Sequence, residues 1–594
     1  MAADPARISK ENASDSHIEH VSTGENDESP DINQNVNGGI SASSNPNWLP
    51  QSDEEYNVTF KTWIVVAILS WSYGVSFWIV PAMVPAGAYI ATSLGGPSAA
   101  SFYTATYLLT ITIAFMICGA NSDLFGRRWF LIFGNVLLFI GFIVGGSAKN
   151  NTALLAAMGL IGFGAGNAQL AAFALPELLP NKWRAIGVVL ADGFLLPIVV
   201  ISPVAGRFAI EHGDAWRWLF YAPAIAAALS FVGLYLHYYP PAHPRGLPYR
   251  EALQQLDYVG AFLFIVSTVL ILVGIVYTTV IPATDTRVVA TLVVGFVLLV
   301  AFALWETFAP LKQPLTPPRV FKRSKGRELT APFIAAFVVT EFYYAINIIY
   351  PTMVNVFFTG PTTTFQDQIV LGLPSNLGLV TGAVLILAVG NRIGHWRWTL
   401  TASVTIMVVF GGLLALGTPE RKGLMIAFVF LGQLGFGWAQ YLSITFVQFG
   451  TDQVELGIAG GLAGVARFAG GAVAISIYTA ILTNVQQMSA NKLVPAAATG
   501  AGLPESSIQA LLSALALGDL TSVPGITDEI AQVASAAFVQ SYVVGLRTTA
   551  LSSLSFGIVG IIACLFCLDI GHKMNNKIEV YLENDVNAEK NRFH

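Results

Sequence analysis

Three ionisable side chains lie inside long apolar stretches of the sequence. Asp192, Glu341 and Arg467 each have almost only apolar or small neighbours for about two helical turns on both sides. A charged group at the centre of a bilayer costs ~2.5–3.5 kcal/mol on insertion scales, so it normally faces a cavity or a partner. We therefore expect Asp192 and Glu341 to bind protons, and Arg467 to be a counter-ion or a substrate anchor. The alternative is a buried structural pair that fixes the register of the helices.

Aromatic side chains are concentrated in some of the same stretches. The first two apolar stretches and the ninth are rich in them, and the candidates for a cavity are Trp71, Tyr73, Phe77, Tyr103, Tyr107 and Tyr343. Flat ring faces suit a large amphipathic substrate, and Tyr and Trp also offer a polar group. Part of the aromatic set is instead expected at the membrane interface.

Composition predicts the elements that must position these groups. Of 594 residues, 54% are hydrophobic and only 11% are charged, whereas a soluble domain carries about 25% charged residues. So few charges cannot cover a soluble surface of this size, but a protein in a lipid bilayer needs no such cover. The predicted fold class is an all-α integral membrane protein. The net charge of −5 gives no sign of a nucleic-acid partner.

The apolar stretches are long enough to cross a bilayer, which takes about 20 helical residues. About fourteen spans are predicted, and twelve or thirteen would also fit, because the residues between the ninth and the tenth are fairly apolar. The expected spans are 62–83, 99–118, 129–147, 153–175, 185–209, 217–238, 257–279, 288–306, 329–350, 371–390, 398–416, 423–446, 457–482 and 547–570.

Charges between the spans predict the orientation. Most Lys and Arg residues of the loops alternate onto one side, including the cluster from Lys312 to Arg327. Basic loops normally stay in the cytosol, so both termini are expected there. The polar residues 1–60 lack the apolar core of a signal peptide and are expected to form a disordered cytosolic tail. Residues 571–594 are expected to form a second cytosolic tail. The membrane is expected to be the plasma membrane, with a vacuolar or vesicular membrane as the alternative.

A short repeat relates the two ends of the membrane region. Gly162-Phe163-Gly164 lies in the fourth span and Gly435-Phe436-Gly437 in the twelfth, each followed by a glutamine. We interpret this repeat as two six-helix halves, 61–238 and 329–570, separated by two linker helices in 239–328.

The second half also contains a long connection before the last span. Residues 483–546 are expected on the outside, either as a semi-ordered loop or as amphipathic segments that lie on the bundle.

A tight turn between the second and third spans carries the sharpest local signal. Its glycines permit a close reversal, Asp123 can accept hydrogen bonds at a helix N-terminus, and Arg127 can pair with a carboxylate at the inner end of the fourth span. Such contacts would hold one conformation and release in another. The residues expected to act together are Gly119, Asp123, Gly126, Arg127, Arg128 and Glu177.

The turn resembles the cytoplasmic signature of the major facilitator superfamily, G-x-x-x-D-[RK]-x-G-R-[RK]. Leu124 stands where a base is usual in that signature. The resemblance covers the membrane region and implies that two halves rock about a central site to expose it alternately to the two sides.

A narrower resemblance involves several short runs. Pro176-Glu177-Leu178-Leu179-Pro180-Asn181-Lys182-Trp183-Arg184, Trp216-Arg217-Trp218 and Lys61-Thr62-Trp63 look like the fungal trichothecene efflux pump family, which is related to the fungal siderophore–proton transporters. The resemblance implies a proton-coupled fungal transporter and leaves the substrate open.

Two departures limit what the resemblance implies about the proton pathway. Met158 stands where many drug–proton antiporters carry an arginine, and Ser202-Pro203-Val204-Ala205-Gly206 replaces the usual Gly-Pro-x-x-Gly. Pro203 can still bend the fifth span, but no proton-pathway role can be carried over to Met158.

The predicted function is proton-driven efflux of an amphipathic secondary metabolite or drug-like toxin by a monomer without a cofactor. Uptake of ferric siderophores by proton symport is the nearest alternative, and a membrane sensor that does not transport is the second. The sequence has no phosphate-binding Gly-x-x-x-x-Gly-Lys-[Ser/Thr] loop, which an ATP-driven pump would need. Cys118, Cys564 and Cys567 are too few for a metal site and are expected to be packing residues.

Overall fold

The computed structural model describes residues 58–591, except 242–248, 279–280, 283, 361, 518–519 and 521–522. The expected N-terminal tail, 1–60, therefore lies almost wholly outside the described residues.

Fourteen helices of the described part are long and apolar enough to cross a membrane, as the sequence predicts. No strand is assigned within that part of the chain. The helices are α1 (Phe60–Ser93), α2 (Ala100–Phe125), α3 (Arg127–Gly146), α4 (Asn151–Glu177), α5 (Asn181–Ile210), α6 (Gly213–His237), α7 (Tyr258–Tyr277), α8 (Thr286–Phe308), α9 (Thr330–Phe358), α10 (Phe365–Ile393), α11 (Trp396–Leu416), α12 (Pro419–Gln448), α13 (Gln453–Gly500) and α14 (Asp528–Phe566).

Three helices of the first half are interrupted inside the bundle. The helical segments stop at Trp78 in α1, at Gln169–Leu170 in α4 and at Asp192–Phe194 in α5. Proline explains two of these breaks, because Pro81 and Pro197 have no N–H for the carbonyl four residues earlier. Interrupted helices leave backbone polar groups free inside a membrane, and proteins tolerate them where they line a site or a cavity.

Glycines pack the helices of the two halves in the same way. Gly164 of α4 packs on α3, and Gly435 of α12 packs on α11. In both cases the glycine contacts a backbone carbonyl and the backbone nitrogen four residues later in the neighbouring helix. A side-chain carbon on Gly164 would lie 2.9 Å from both Gly134 O and Leu138 N, and one on Gly435 would lie 2.7 and 2.8 Å from Ser403 O and Met407 N. These contacts relate α3 and α4 to α11 and α12 as structural repeats.

A second glycine in each repeat confirms the register. Gly166 packs on Ile111 O and Phe115 N of α2, and Gly437 packs on Leu379 O and Ala383 N of α10. By these contacts Gly164 is equivalent to Gly435. An alignment of the two Gly-Phe-Gly triplets would instead match Gly162 with Gly435, so the structural register differs from it by two residues. In this register the repeat reads Gly-x-Gly-x-Ala-Gln, ending at Gln169 and Gln440.

The connection between the last two spans differs from the expected loop 483–546. A continuous helix runs from Leu456 to Gly500 within α13, α14 already begins at Asp528, and a short helix, Ile508–Leu517, lies between them. The buried residues Gln486, Ala490, Val494 and Ala498 are four apart, which is the spacing of one helical face. This stripe packs a small helical extension beyond the bilayer, because α13 is far longer than the about 20 residues of one span.

One face of the bundle is important for the site. We call the face at which α1 begins and α14 ends the terminal face. Thr62, in the first turn of α1, donates a hydrogen bond to Asp585, which follows α14, with a distance of 3.1 Å. The two chain ends of the described bundle therefore lie on the same side.

Candidate functional site

The predicted turn motif joins the two halves at the terminal face. Asp123, at the end of α2, accepts hydrogen bonds from the backbone N–H groups of Gly457 and Ile458, at 2.9 and 3.1 Å. These groups belong to the first turn of α13, where the helix dipole favours a carboxylate. Gly119 lies against Gly461 so closely that a side chain on either residue would overlap the other helix. The motif thus holds α2 against α13.

Glu177 is the second link across this face. Its carboxylate forms an ion pair with Arg127 and accepts a hydrogen bond from the side chain of Gln453 in α13. Arg128 turns away, and its guanidinium lies 3.7 Å from the ring centre of Tyr239. Gly126 has a φ of 79°, which favours glycine and makes the sharp turn into α3 possible. The motif residues are thus grouped here, with Arg128 directed toward the chain after α6.

Gln448 closes the same face with a contact that the sequence analysis missed. Its Nε2 donates to the carbonyl of Ala172 at 3.0 Å, from the end of α12 to α4. That carbonyl has no helical partner, because Pro176 lacks an N–H. Gln448 is almost fully buried. The terminal face is therefore closed in this structure, and Gln448 marks the closed contact.

A polar network crosses between the halves in the interior. Arg467 of α13 donates from Nη1 to the hydroxyl of Tyr73 in α1 at 3.0 Å. Asp192, at the break in α5, interacts with the hydroxyls of Tyr73 and of Tyr441 in α12. Asp192, Tyr73 and Tyr441 are all buried. Tyr73 thus connects the carboxylate of one half with the guanidinium of the other.

Two glutamines at equivalent places in the repeat complete this region. Gln440 lies beside the guanidinium, and with its amide oxygen turned toward Arg467 it accepts from Nε at 2.7 Å. Gln169, at the break in α4, donates to the hydroxyl of Ser76 at 3.0 Å. Its oxygen is buried and has no hydrogen-bond partner in the described part of the chain. The repeat Gly-x-Gly-x-Ala-Gln, read in the register of the glycine contacts, could have identified both residues.

Glu341 occupies a separate place in the second half. Its Oε1 accepts a hydrogen bond from the hydroxyl of Tyr478 in α13, and Oε2 is buried without a hydrogen-bond partner among the described residues. Its carboxyl group is fully buried in α9. The structure thus places Glu341 beside Tyr478 and does not join it to Asp192, which forms its own network.

The predicted aromatic residues divide into two groups. Tyr73 and Phe77 are buried in α1, and the hydroxyl of Tyr107 donates to Ser76 O at 3.0 Å. Tyr343 stacks on Phe436 across the second half, with ring centres 4.6 Å apart. These four predicted residues, Tyr73, Phe77, Tyr107 and Tyr343, are all buried.

Two other predicted aromatics lie elsewhere. Tyr103 bonds to Asn151, at the first turn of α4 and away from the terminal face. Trp71 donates to Ala226 O of α6 at 3.1 Å, and its ring contacts Phe194 edge to face. Trp71 therefore faces α5 and α6 instead of the network between the halves.

Known proteins resemble this chain over nearly its whole length. Residues 45–594 match the family described as "Fungal trichothecene efflux pump (TRI12)". The MFS-type transporter prx5 of Penicillium rubens is 45% identical over 522 residues, which cover 88% of this chain and 93% of the relative. The trichothecene efflux pump TRI12 of Fusarium sporotrichioides is 26% identical over 539 residues, covering 89% and 90%.

Among solved structures, the proton:xylose symporter XylE bound to 6-bromo-6-deoxy-D-glucose is similar with a TM-score of 0.49 and 14% identity, covering 85% of this chain and 95% of that chain. The family assignment depends on the sequence matches, which extend over both halves and both linker helices. The chain belongs to the fungal trichothecene efflux pump family and is a membrane transporter of the major facilitator superfamily.

Proposed function

We propose that this chain exports a large, oxygen-rich and uncharged secondary metabolite from the cytosol in exchange for protons. In this proposal the terminal face is cytosolic, the membrane is the plasma membrane and the working unit is a monomer. The observation that carries the proposal is the network of Asp192, Tyr73 and Arg467, which links the two halves at a break in α5.

The charges of the network favour an uncharged substrate. Arg467 is the cation of the network and Asp192 is its anion, so the pair is electrically balanced when the carboxylate is ionised. A net charge on the substrate would have to be buried without a counter-ion, which is costly in low dielectric. The free oxygen of Gln169 can instead accept a hydrogen bond from a substrate hydroxyl. The stacked rings of Tyr343 and Phe436 offer an apolar surface nearby.

Proton binding at Asp192 explains how exchange could occur. The ionised carboxylate interacts with the hydroxyls of Tyr73 and Tyr441, which come from different halves. A proton that arrives from outside removes the charge that attracts Arg467 through Tyr73, and so weakens the link between the halves. The terminal face can then open, substrate can bind from the cytosol, and the proton can leave on that side. Glu341, held by Tyr478, is the second candidate proton site.

The turn motif has a conformational role in this cycle. Asp123 at α13 and the Arg127–Glu177 pair stabilise the closed terminal face and must separate when that face opens. Because both contacts are buried and charged, each released group needs water or a new partner in the open state. Their release therefore sets part of the barrier between the two states.

Transport into inside-out plasma-membrane vesicles tests the proposal. The vesicles come from a yeast that lacks its own drug pumps, and the probes are a trichothecene and a ferric siderophore, each with and without a proton uncoupler. We expect uncoupler-sensitive uptake of the trichothecene. Asp192→Asn and Glu341→Gln should each reduce it at least about tenfold if they carry the proton. Asp214→Asn, whose carboxylate is 83% exposed, is the matched control and should leave transport unchanged.

The opposite results separate the alternatives. Siderophore uptake by right-side-out vesicles without trichothecene transport would make the chain an iron-uptake carrier. Trichothecene uptake that ignores the uncoupler would refute proton coupling. Binding of either probe without movement would favour a membrane sensor.

A further inference from the structure

The chain after α14 stays on the bundle. We call residues 567–591 the tail segment. Its first part lies on the second half, where Leu568 N donates to Arg327 O at 3.3 Å and Asp569 accepts from Arg397 N at 3.1 Å. Lys573 then donates to Phe449 O at 2.6 Å. These contacts hold the start of the tail segment beside the terminal-face ends of α9, α11 and α12.

The next residues of the tail segment bind the first half. Lys182 N donates to Asn575 O at 2.6 Å, and Asn181 N donates to Lys577 O at 2.9 Å. Both donors lie at the start of α5. The side chain of Asn181 also donates to Glu579 at 2.9 Å. Lys573 is the last residue of the tail segment that contacts the second half, and Asn575 is the next one that contacts the first half. Only Met574 lies between them.

Further along, the tail segment reaches three more places on the first half. Val580 N donates to the carbonyl of Glu177 at 3.1 Å, and Glu583 N donates to Tyr239 O at 2.9 Å. Asp585 accepts hydrogen bonds from Thr59, which directly precedes α1, and from Thr62 in the first turn of α1. The tail segment therefore touches α1, the end of α4, the start of α5 and the chain after α6.

Apolar burial strengthens this attachment. Leu582 is 1% exposed and Ile578 is 5% exposed, whereas Val586 farther along is 87% exposed. Burying a Leu or Ile side chain removes apolar surface from water and so stabilises the contact that covers it. The polar contacts and the buried side chains together exceed what a solvated, disordered tail would make.

Separation of the halves at the terminal face must break part of this attachment. The two-residue backbone step from Lys573 to Asn575 spans at most about 7 Å. Only the Lys573 side chain, which reaches Phe449 O, adds to that length, so the connection contains little slack. Residues 567–573 follow α14 covalently and move with the second half. The contacts that give way are therefore those of residues 575–585 with the first half.

We propose that the tail segment is an intramolecular latch that keeps the terminal face closed and detaches from the first half when that face opens. Glu177 is held from both sides in this arrangement, by Arg127 through its carboxylate and by Val580 through its carbonyl. The latch thus acts on the same residue as the turn motif. It depends on the two-half fold and on no particular substrate or ion.

Cysteine labelling at Gln448 measures the opening directly. Gln448→Cys places a thiol at the buried contact between α12 and α4, and the three native cysteines are buried. The purified full chain in detergent is treated with a maleimide. Leu582→Asp should detach the latch and raise the labelling rate at least about threefold, because it shifts the population toward the open face. Val586→Asp makes the same kind of change at an exposed site and should leave the rate unchanged.

Two further variants guard against a folding artefact. A chain truncated after Met574 should show the same faster labelling with an unchanged melting temperature of the membrane bundle. A disulfide between Asn181→Cys and Glu579→Cys should slow labelling, and a reductant should restore it. Equal labelling rates for Leu582→Asp, the truncated chain and Val586→Asp would overturn the latch. An oxidised disulfide that leaves labelling unaffected would do the same. None of these readouts uses transport, so failure of the exporter proposal leaves them interpretable.

Discussion

At the scale of single residues, the centre of the molecule depends on hydroxyl and amide groups as much as on charges. Asp192 and Arg467 do not act alone, because Tyr73 lies between them and Gln440 flanks the guanidinium. The hydroxyl of Tyr73 can be removed while its ring is kept. A change to phenylalanine therefore separates the polar role of this side chain from its packing role.

Tyr73→Phe tests that polar role. We expect the maximal transport rate to fall by about tenfold, since losing one partner of a buried charged group costs about 1–3 kcal/mol, with the protein still folded because the ring is kept. The measurement is vesicle uptake across substrate concentration. Tyr103→Phe is the control, as it removes a hydroxyl that bonds to Asn151 outside the network. A rate equal to that of the control would show that Tyr73 only packs.

Gln169→Leu tests the free oxygen at the break in α4. Removing a hydrogen-bond acceptor from the substrate should raise KM about fivefold with little change in maximal rate, as expected for a contact worth about 1 kcal/mol in ground and transition state alike. Gln486→Leu is the matched control, because Gln486 is also buried but donates to Ser541 of α14 in the helical extension. If both variants change KM equally, Gln169 has no special contact with substrate.

At the scale of elements, small residues let helices of different halves meet. Gly119 of α2 and Gly457 and Gly461 of α13 bring two backbones into contact at the terminal face. Small residues are the usual means by which helices pack closely in membranes. The N–H groups that donate to Asp123 belong to Gly457 and to its neighbour Ile458. One turn of α13 therefore provides both the close approach and the helix cap.

Gly461→Ala tests close approach. The added carbon would lie 2.7 Å from Phe115 O and 2.9 Å from the Cα of Gly119, and overpacking of this kind typically costs about 1–3 kcal/mol. We expect the terminal face to open more often, which faster maleimide labelling of Gln448→Cys would report. Gly372→Ala has nothing within 4 Å of the added carbon and serves as the control. Unchanged labelling would mean that the helices separate as easily with or without this contact.

Glu579 of the tail segment should keep its charge across the physiological range. Burial disfavours the Glu579 carboxylate, but Lys577, Asn181 and Arg184 together hold the pKa of Glu579 below its ordinary value. A lowered folded-state pKa gives stability that is present above the unfolded value of about 4.3 and is lost only as pH falls through the lower folded value. The ratio of Gln448→Cys labelling rates for Glu579→Gln and the native residue should therefore stay constant between about pH 5.5 and 7.5. A ratio that changes within that window would show that Glu579 titrates there.

At the scale of the whole molecule, the two halves and two linker helices form a bundle whose chain ends share one face. The alternation of basic loops predicts that this face is cytosolic. The helical extension formed by α13, Ile508–Leu517 and α14 lies on the opposite side of the membrane from the terminal face. The orientation decides to which side of the membrane the described conformation, with its terminal face closed, is closed.

Labelling of intact cells tests this orientation. A cysteine at Glu505, an exposed residue of the extension, should react with a membrane-impermeant maleimide in intact cells. A tag after His594 should react with antibody only after permeabilisation. The reverse pattern would place the terminal face outside and would contradict export from the cytosol.

Much of this architecture is determined by the sequence alone. Long apolar stretches in a chain with few charges can only be stable as membrane helices, so their number could be counted from composition. The turn from Gly119 to Arg128 could be identified from its sequence. Its partner Glu177 could be identified because Arg127 can pair only with a carboxylate at a nearby helix end on the same face. Asp192, Glu341 and Arg467 were identifiable because a charge in an apolar stretch needs a reason.

Other features are decided only by the tertiary structure. Which groups meet depends on helix rotation and register. The separation of Glu341 from Asp192, the bridging role of Tyr73 and the packing of Trp71 against α5 and α6 could therefore not be read from spacing. The helical extension replaced an expected loop because a stripe of buried residues found partners across two helices. The tail segment reads as polar and solvated in sequence, yet it is ordered by backbone groups that the breaks and turns of distant helices leave unpaired. Such partners exist only once the helices have assembled.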